Sequence, residues 1–410
     1  MSRGAGFFRF APVAVMALLC CFAPHGDADT PNSKLAQEVR PPAARPSARI
    51  LRVGLGKEFL VPSIAADFAG DGDVVEIDQG TYDGDTAIWR ANNLTIRAAG
   101  KRVHLRAQGA SAEGKAIWVV KGNNTTIENI EFSGAKVSAR NGAGIRLEGA
   151  GLTLRRCYFH DNETGILTGA NAASDVLIEN SEFAGNGAGD GMSHNIYVGA
   201  VRSFTLRFSY IHHAVVGHNV KSRAARNYVL YNRVTDEQTG NSSYLVEFPN
   251  GGLAYVIGNL LQKGVHAENT TLVSYGAEGL VQGVNKLYIV NNTLVNERPE
   301  GGKFVFAAAG TSAAMAVNNI FAGRGTVAEG PLTLRSNLTG ERSDLLEAGQ
   351  FDYRLKRGAR AVAAGEDPGE AEDFSLRAEA EYVHPLSGRK RAARNSPDLG
   401  AYSFAGERPQ

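Results

Sequence analysis

One short pattern recurs along the middle of this chain and limits what the chain can fold into. Each copy is a run of alternating apolar residues, then small or asparagine residues, then one bulky apolar residue. The bulky residues recur at fairly even intervals, at Phe132, Phe159, Phe183, Ile211, Val234, Leu261, Leu294 and Phe321. Because a unit of about 25 residues cannot bury its own apolar face, successive units must stack on one another. The repeat therefore predicts a solenoid.

Each period also contains a second strand-like piece, for example at residues 144–147 and 244–248. Two or three short strands per turn, with glycine and asparagine at the bends, are typical of a parallel β-helix. A leucine-rich repeat would need a helical half, and a β-propeller would need about four strands per 40 residues. The sequence has neither pattern. We therefore predict an all-β chain folded as a right-handed parallel β-helix.

A column of small polar residues accompanies the repeat. Two positions before the bulky residue, successive units carry Cys157, Ser181, Ser209, Asn232, Asn259, Asn292 and Asn319. Side chains stacked about 4.8 Å apart can hydrogen-bond along the solenoid axis and satisfy backbone groups at a bend. We predict that this column is structural.

The segment before the repeats has a different character. Residues 1–28 have the features of a signal peptide, with Arg3 and Arg9 at the start and an apolar stretch at 11–22 that is too short to span a bilayer. Residues 29–48 are rich in proline, alanine and charge, and we interpret them as a linker. We therefore expect a periplasmic or secreted protein that has no membrane contact after the signal is removed.

The repeats are predicted to occupy residues 49–339. A short amphipathic helix at 61–69, with Pro62 in its first turn, is expected to cap their N-terminal end. After residue 340 the pattern fades into a charged, alanine-rich stretch. Because the end of a solenoid exposes strand edges and apolar core, we predict that residues 340–410 form a C-terminal cap.

The composition limits the choice of partners and of stabilising bonds. The 43 Lys and Arg residues balance 42 Asp and Glu residues, so no basic field favours a nucleic acid. Of the three cysteines, only Cys157 lies beyond the predicted signal peptide. The mature chain is thus expected to have no internal disulfide. The sequence specifies no oligomeric state.

Parts of the chain resemble a known superfamily. The segment that ends at Tyr82, the units punctuated by asparagine and phenylalanine, and the ending at Tyr402 are similar to the pectate-lyase-like β-helix superfamily. The motif order is nearest to the chondroitinase B and alginate lyase family, where Lys-Ser, an Asn-terminated strand and Phe-x-x-Gly form the site. Lys221-Ser222, Asn232 and residues 248–251 follow that order here.

This resemblance implies that Lys221 is the catalytic base and that the substrate is an acidic polysaccharide. Two features depart from the family. The position of the family's acid, an arginine, is taken by Pro249, and residues 214–219 lack the acidic residues that bind calcium in that family. The sequence therefore requires no metal and leaves the cofactor unspecified.

Polar and ionisable residues gather at matching places in four consecutive units between residues 190 and 280. Lys221, Glu247 and Tyr275 follow one another at intervals of about one coil, so we expect all three on one face. The candidate catalytic residues are His194, Tyr197, His218, Lys221 and Arg223. The candidate substrate-binding residues are Asn195, Asn219, Glu247, Asn250, Tyr275 and Glu278.

The β-elimination of a uronate needs a group that neutralises the carboxylate, a base for the C5 proton and an acid for the leaving oxygen. Lys221 is the candidate base. Arg223 and His218 are candidates for neutralising the carboxylate, and Tyr197 or His194 is the candidate acid. Epimerisation at C5 would use the same groups, with the proton returned from the opposite face.

Two other functions stay open at this point. A glycoside hydrolase would use a carboxyl pair from Glu247, Glu268 and Glu278, whose spacings allow a pair across adjacent coils. A non-catalytic glycan-binding or surface β-helix needs no such pair, and the missing family arginine favours it. The cationic centre of Lys221 and Arg223 favours the lyase or epimerase over the hydrolase. No metal site is predicted, since His212-His213 lack a third ligand at suitable spacing.

Overall fold

The chain forms a stack of coils that are joined by parallel strand pairing. The computed structural model describes residues 48–394 and 396–406. The predicted signal peptide, and all of the predicted linker except residue 48, lie outside the described residues. Within the described part, 21 strands form one large sheet and ten strands form a second sheet. The prediction of an all-β parallel β-helix is confirmed.

The large sheet receives two strands from most coils. Its members are Ile50–Val53, Val74–Asp83, Thr95–Arg106, Thr125–Glu128, Ile130–Ser133, Leu152–Arg155, Tyr158–His160, Asn171–Glu179, Glu182–Ala184, Val201–Arg207, Tyr210–His212, Arg226–Leu230, Arg233–Thr235, Leu253–Ile257, Leu260–Lys263, Lys286–Val290, Thr293–Asn296, Ala313–Val317, Ile320–Gly323, Thr333–Arg335 and Leu338–Gly340.

The ten-stranded sheet receives one strand from each coil. Its members are Ala87–Trp89, Ala116–Val120, Ala143–Leu147, Thr164–Thr168, Ile196–Val198, Val220–Ser222, Val246–Phe248, Thr271–Tyr275, Lys303–Ala307 and Thr326–Glu329. Every pairing between neighbouring coils in this sheet is parallel, so a row of outward-facing side chains continues from one coil to the next.

The helix Pro62–Phe68 lies near the N-terminal end of the stack, within a residue or two of its predicted bounds. Pro62 stands in the first turn, where its missing N–H costs no hydrogen bond. The helix buries Ala65 and Ala66, and the ring of Phe68 lies 5.5 Å from that of Phe59. It thereby covers apolar surface of the first coils. No helix in the described ranges is both long and apolar enough to cross a membrane.

The bulky residues of the repeat line the interior of the coils, as the pattern predicts. Phe132, Phe159 and Phe183 are fully buried, and their rings stack at centroid distances of 4.9 and 4.7 Å. Stacked aromatic rings contribute both buried apolar area and a favourable ring geometry. These contacts join neighbouring coils from the inside, while the strand hydrogen bonds join them at the wall.

The polar column forms a continuous ladder at the bend between the two strands of the large sheet. The side-chain oxygen of Asn259 accepts the backbone N–H of Asn232 at 2.9 Å, and its amide nitrogen donates to the carbonyl of Val229 at 2.8 Å. Equivalent bonds connect the other rungs, and Asn337 adds one beyond the predicted column. The structural role predicted for this column is confirmed.

After Leu338–Gly340 the chain forms three short antiparallel pairs. They are Leu345–Glu347 with Asp352–Leu355, Glu370–Ala371 with Phe374–Ser375, and Ala380–Val383 with Ser387–Lys390, and the 3-10 turns Arg342–Asp344 and Ala348–Gln350 flank the first pair. This segment makes contacts along the outside of the large sheet. Tyr255 donates to the carbonyl of Ala371 at 2.9 Å, and Asn180 donates to that of Leu386 at 2.9 Å. The segment thus covers apolar side chains on the flank of the stack.

We expect the replacement Asn259→Leu to destabilise the fold strongly. It removes the partners of buried backbone groups on Asn232 and Val229, and each unpaired group costs about 1–3 kcal/mol. The free energy of unfolding, measured in urea at pH 7, should fall by about 2–5 kcal/mol. Asn337→Leu is the matched control at the half-buried last rung, where water can replace the lost bonds. Equal losses in the two variants would contradict a ladder that depends on burial.

Candidate active site

Three strands of the ten-stranded sheet place Tyr197, Lys221 and Glu247 in one outward-facing row. Tyr197 pairs with Lys221, and Lys221 pairs with Glu247, in the parallel register. Neighbouring rungs of such a row are about 4.8 Å apart. The structure therefore brings together three of the residues that were predicted from the sequence.

Histidine and tyrosine rings form a second row, three positions earlier in each coil. The rings of His194 and His218 stack at a centroid distance of 4.5 Å, and the ring of Tyr244 lies 4.9 Å from that of His218. His194 also meets Tyr197 edge to face at 5.3 Å. The two rows thus share one surface, and the buried histidines form its wall.

Arg223 contacts three polar side chains of this surface. Its Nε donates to the hydroxyl of Tyr197 at 2.9 Å, and another of its nitrogens donates to the side-chain oxygen of Asn250. Its Nη2 lies 2.7 Å from Oε2 of Glu278. Because a guanidinium presents its donors in a fixed plane, these three contacts hold Arg223 in one orientation.

Lys221 lies between two carboxylates. Its Nζ is 3.3 Å from Oε2 of Glu247 and 3.0 Å from Oε1 of Glu278. Nε2 of His218 lies 3.0 Å from the same oxygen of Glu247. The side chain of Glu247 is 4% exposed whereas that of Glu278 is 45% exposed, so the first is a fixed internal partner and the second a displaceable one.

The charges of this cluster follow from burial and neighbours. Burial opposes ionisation of Glu247, but His218 and Lys221 outweigh it and hold the pKa of Glu247 below its ordinary value. In the same way Arg223 and Lys221 outweigh burial and lower the pKa of Glu278. Both carboxyl groups are therefore anionic near neutral pH.

The two buried histidines are neutral near pH 7. Burial lowers the pKa of His194 well below its ordinary value, helped by the positive charges of Lys221 and Arg223. Burial also lowers the pKa of His218, although Glu247 opposes it. Nδ1 of His194 accepts the backbone N–H of His218 at 3.0 Å, and Nδ1 of His218 accepts that of Tyr244 at 3.3 Å. The ring proton of each therefore lies on Nε2.

Three predicted substrate-binding residues do not face this surface. Tyr275 is fully buried and donates to the carbonyl of Gly252, because the register aligns it with Phe248 and aligns Ser274 with Glu247. A shift of one residue turns a side chain to the other face of a strand. Tyr275 therefore belongs to the core and not to the row of Lys221.

Asn195 and Asn219 are also inside the coils. Both are fully buried, and Nδ2 of Asn195 donates to Oδ1 of Asn219 at 2.8 Å. Asn186 precedes them and Asp236 follows them in the same column. They form a second structural ladder at the bend before the ten-stranded sheet, so their amides are already used by the fold.

One loop supplies contacts that were only partly predicted from the sequence. Residues 276–285 follow the strand Thr271–Tyr275 and bring Glu278 back over Lys221, while Nε2 of Gln282 donates to the carbonyl of Arg223 at 3.1 Å. Gln282 was not predicted. The interval between Leu261 and Leu294 is the longest in the repeat, and it is the sequence signal of this inserted loop.

One buried polar atom of the row lacks a hydrogen-bond partner. It is Oγ of Ser274, on the coil after Glu247. Unsatisfied buried polar atoms are uncommon in folded proteins.

A groove of about 610 Å³ begins beside this surface, at Gln282. Its wall is formed by the large sheet, including Tyr228 and Leu253, and by residues 372–374 of the C-terminal segment. Gln282 connects the groove to Arg223 through its hydrogen bond to that residue's carbonyl. An extended ligand on the charged surface therefore has room to continue past the loop.

Comparison with known proteins agrees with the fold. The family model described as a right-handed β-helix region matches residues 83–321, which is more than half of the chain. The chain belongs to the right-handed β-helix family. The handedness predicted from the repeat is that of the family.

Solved structures give a similar result for this right-handed β-helix. Pectate lyase Pel9A superposes with a TM-score of 0.54 at 13% identity, covering 87% of this chain and 97% of the lyase. An alginate lyase from Paenibacillus sp. str. FPU-7 superposes with a TM-score of 0.46 at 14% identity, covering 72% of this chain and 98% of that chain. At 13% identity the similarity to Pel9A extends to the backbone fold alone. No curated protein matches the chain in sequence.

We expect Glu247→Gln to lower the free energy of unfolding by about 3 kcal/mol at pH 7, since it leaves buried Lys221 without its internal partner. The lowered pKa of Glu247 means that its stabilisation is complete above the ordinary value of 4.5 and is lost as pH falls through the folded-state pKa. The gap between wild type and variant should therefore close in more acidic solution. Urea unfolding from pH 7 to pH 3 measures both effects.

Glu278→Gln is the control for this prediction, because it removes a half-exposed partner of the same lysine. Exposed ion pairs contribute about 0–1 kcal/mol, so this variant should stay within that range of wild type. A loss as large as that of Glu247→Gln would contradict the assignment of Glu247 as the internal partner.

Proposed function

We propose that this β-helix binds an acidic polysaccharide across the surface of Tyr197, Lys221 and Glu247, and that it cleaves or epimerises a uronate by abstraction of the C5 proton. The observation that carries the proposal is the convergence of Lys221 and Arg223 on one displaceable carboxylate, that of Glu278. A uronate carries the same chemical group. A substrate carboxylate that replaces Glu278 would meet two cations already in place.

Arg223 is the better residue for neutralising the substrate carboxylate. Its orientation is fixed by Tyr197 and Asn250. Burial opposes the charge of Arg223, but its hydrogen-bond partners outweigh burial and raise its pKa, so it stays charged. His218 was the other candidate. Its lowered pKa and its contact with Glu247 make it a neutral partner of that carboxylate instead. Neutralisation at the carboxylate makes the C5 proton more acidic.

Lys221 is the proposed base. Its Nζ lies in the outward-facing row, on the side of Arg223 where the carboxylate would bind. When the substrate displaces Glu278, Lys221 loses one of its two anionic partners and keeps Glu247, which positions the amine. Nζ can take the C5 proton of the sugar held by Arg223 only as a neutral amine, so the ammonium would first release one proton to solvent.

Tyr197 is the proposed acid. Its oxygen accepts a hydrogen bond from Nε of Arg223, so its own proton is available for the leaving oxygen. The same guanidinium would stabilise the phenolate that remains after transfer. His194 was the alternative, but burial keeps this ring neutral and in the wall behind the row. Epimerisation would use Tyr197 to return a proton to C5 from the other face.

The hydrolase alternative has less support. A hydrolase acid needs a carboxyl group with a raised pKa, whereas the pKa values of Glu247 and Glu278 are both lowered. Glu268 is exposed, and its backbone N–H donates to the carbonyl of Ser242. Neither Glu247 nor Glu278 is therefore protonated near neutral pH, as a hydrolase acid would have to be.

The comparisons are consistent with this proposal at the level of the fold. The name of the structural neighbour Pel9A states a pectate lyase activity, and a lyase on a uronate polymer is the activity proposed here. Export to the periplasm or the medium, predicted from residues 1–28, would bring the protein to such polymers.

The test is an absorbance assay near 235 nm, where the unsaturated product of β-elimination absorbs, over alginate, pectate, glycosaminoglycans and bacterial exopolysaccharides. NMR of the treated polymers detects inversion at C5. We expect wild type to act on at least one polymer and Lys221→Ala to lose at least about a hundredfold of that rate. Lys221→Arg should lose a similar amount, since arginine keeps the charge but cannot accept the proton.

Lys303→Ala is the matched control, because Lys303 lies on the same sheet three coils further along and pairs with Glu329. Its activity should stay within about twofold of wild type, because exposed ion pairs contribute little. Activity that survives in Lys221→Arg would contradict Lys221 as the base. Binding without elimination or inversion on every polymer would instead favour the non-catalytic glycan-binding protein.

A further inference from the structure

A separate cluster of ligand-type side chains lies on the large sheet. His104, Glu131 and His160 come from three successive coils, and one ligand atom of each lies within 4.8 Å of the others. Oε1 of Glu131 is 3.4 Å from Nδ1 of His104 and 3.1 Å from Nε2 of His160. All three are partly buried. In the described residues, this is the one group of three such side chains.

We propose that His104, Glu131 and His160 bind a zinc ion through Nδ1, Oε1 and Nε2, with a fourth position left for water or an oxygen ligand. Two histidines and a carboxylate are an established donor set for zinc. Ligand atoms at about 2.0–2.2 Å from a tetrahedral ion lie about 3.3 Å from one another. The two distances to Glu131 agree with this spacing.

In each of the two histidines, the outer nitrogen, which is the one not proposed to bind the ion, has its own partner. Nε2 of His104 lies 2.7 Å from Oγ of Ser133, and Nδ1 of His160 lies 2.7 Å from Oδ2 of Asp161. Such outer contacts fix the tautomer of a metal-bound histidine and direct its free nitrogen to the ion. With a proton on each outer nitrogen, Nδ1 of His104 and Nε2 of His160 present lone pairs towards Oε1 of Glu131. A cation bound between these three atoms stabilises this arrangement.

The charge of the nearby Arg106 is partly compensated before a cation binds. Its Nε lies 2.6 Å from Oδ1 of Asp83.

The fold contains an incomplete version of the same arrangement. In later coils, Nε2 of His212 lies 3.3 Å from Oε1 of Glu182, as His160 does from Glu131. There the next ring, that of His213, contacts Nδ1 of His212 at 2.7 Å and not the carboxylate. This second cluster therefore offers only two ligands, His212 and Glu182, and it provides a control for the three-ligand cluster.

The experiment uses the whole chain without a histidine tag, freed of metal by chelation and titrated with zinc in a calorimeter. We expect one zinc ion per chain for wild type. Glu131→Gln and His160→Ala should each weaken binding at least about tenfold, and Ser133→Ala, which removes an outer contact, should weaken it about tenfold. Cobalt provides a second readout, because a tetrahedral site gives intense visible absorption that an octahedral surface site lacks.

His212→Ala is the matched control and should leave the stoichiometry and affinity unchanged. Circular dichroism of each variant shows whether the fold is kept. Absence of zinc binding, or equal binding in wild type and Glu131→Gln, would overturn the proposal. Loss of binding in His212→Ala with retention in His160→Ala would place the ion in the other cluster and overturn it as well. None of these readouts depends on the proposed lyase activity.

Discussion

The parallel register between coils is the constraint on which the rest of this structure depends. Hydrogen-bonded strands about 4.8 Å apart force equivalent residues of successive repeats into rows, both inside the coils and on their outer surface. The ladder of Asn232, Asn259 and Asn292 satisfies the backbone at one bend and holds that register from within. Without it, a slip of one residue would turn the row of Tyr197 and Lys221 into the core.

The candidate site combines this rigid row with one adaptable element. Glu247 and the neutral His218 fix Lys221 from the buried side, where a change of partner would leave a charge uncompensated. Glu278 approaches from a loop and is half-exposed, so an anion of the same chemistry can replace it at low cost. Under the proposed function, this place between Lys221 and Arg223 binds a substrate carboxylate, and the side chain of Glu278 occupies it when no substrate is bound.

The sequence predicted the fold because the signal is repeated many times, and each repeat independently supports the same period. The site was predicted less completely, because an error of one residue in the alignment of a strand places a side chain on the wrong face of the sheet. The spacing aligned Lys221 with Glu247 correctly but misplaced Tyr275 by one residue. The buried role of Asn195 and Asn219 was missed because a ladder amide and a sugar-binding amide look alike in sequence. His104, Glu131 and His160 lie in different repeats, so only the stacked coils reveal that they are neighbours.

We propose that a uronate carboxylate takes the place of Glu278 between Lys221 and Arg223. The decisive experiment is a crystal structure of the Tyr197→Phe variant with a bound uronate oligosaccharide, chosen from a polymer that the protein binds. We expect a sugar carboxylate within hydrogen-bond distance of Arg223, with Glu278 turned away towards solvent. An oligosaccharide bound elsewhere, while Glu278 still bridges Lys221 and Arg223, would overturn the proposal.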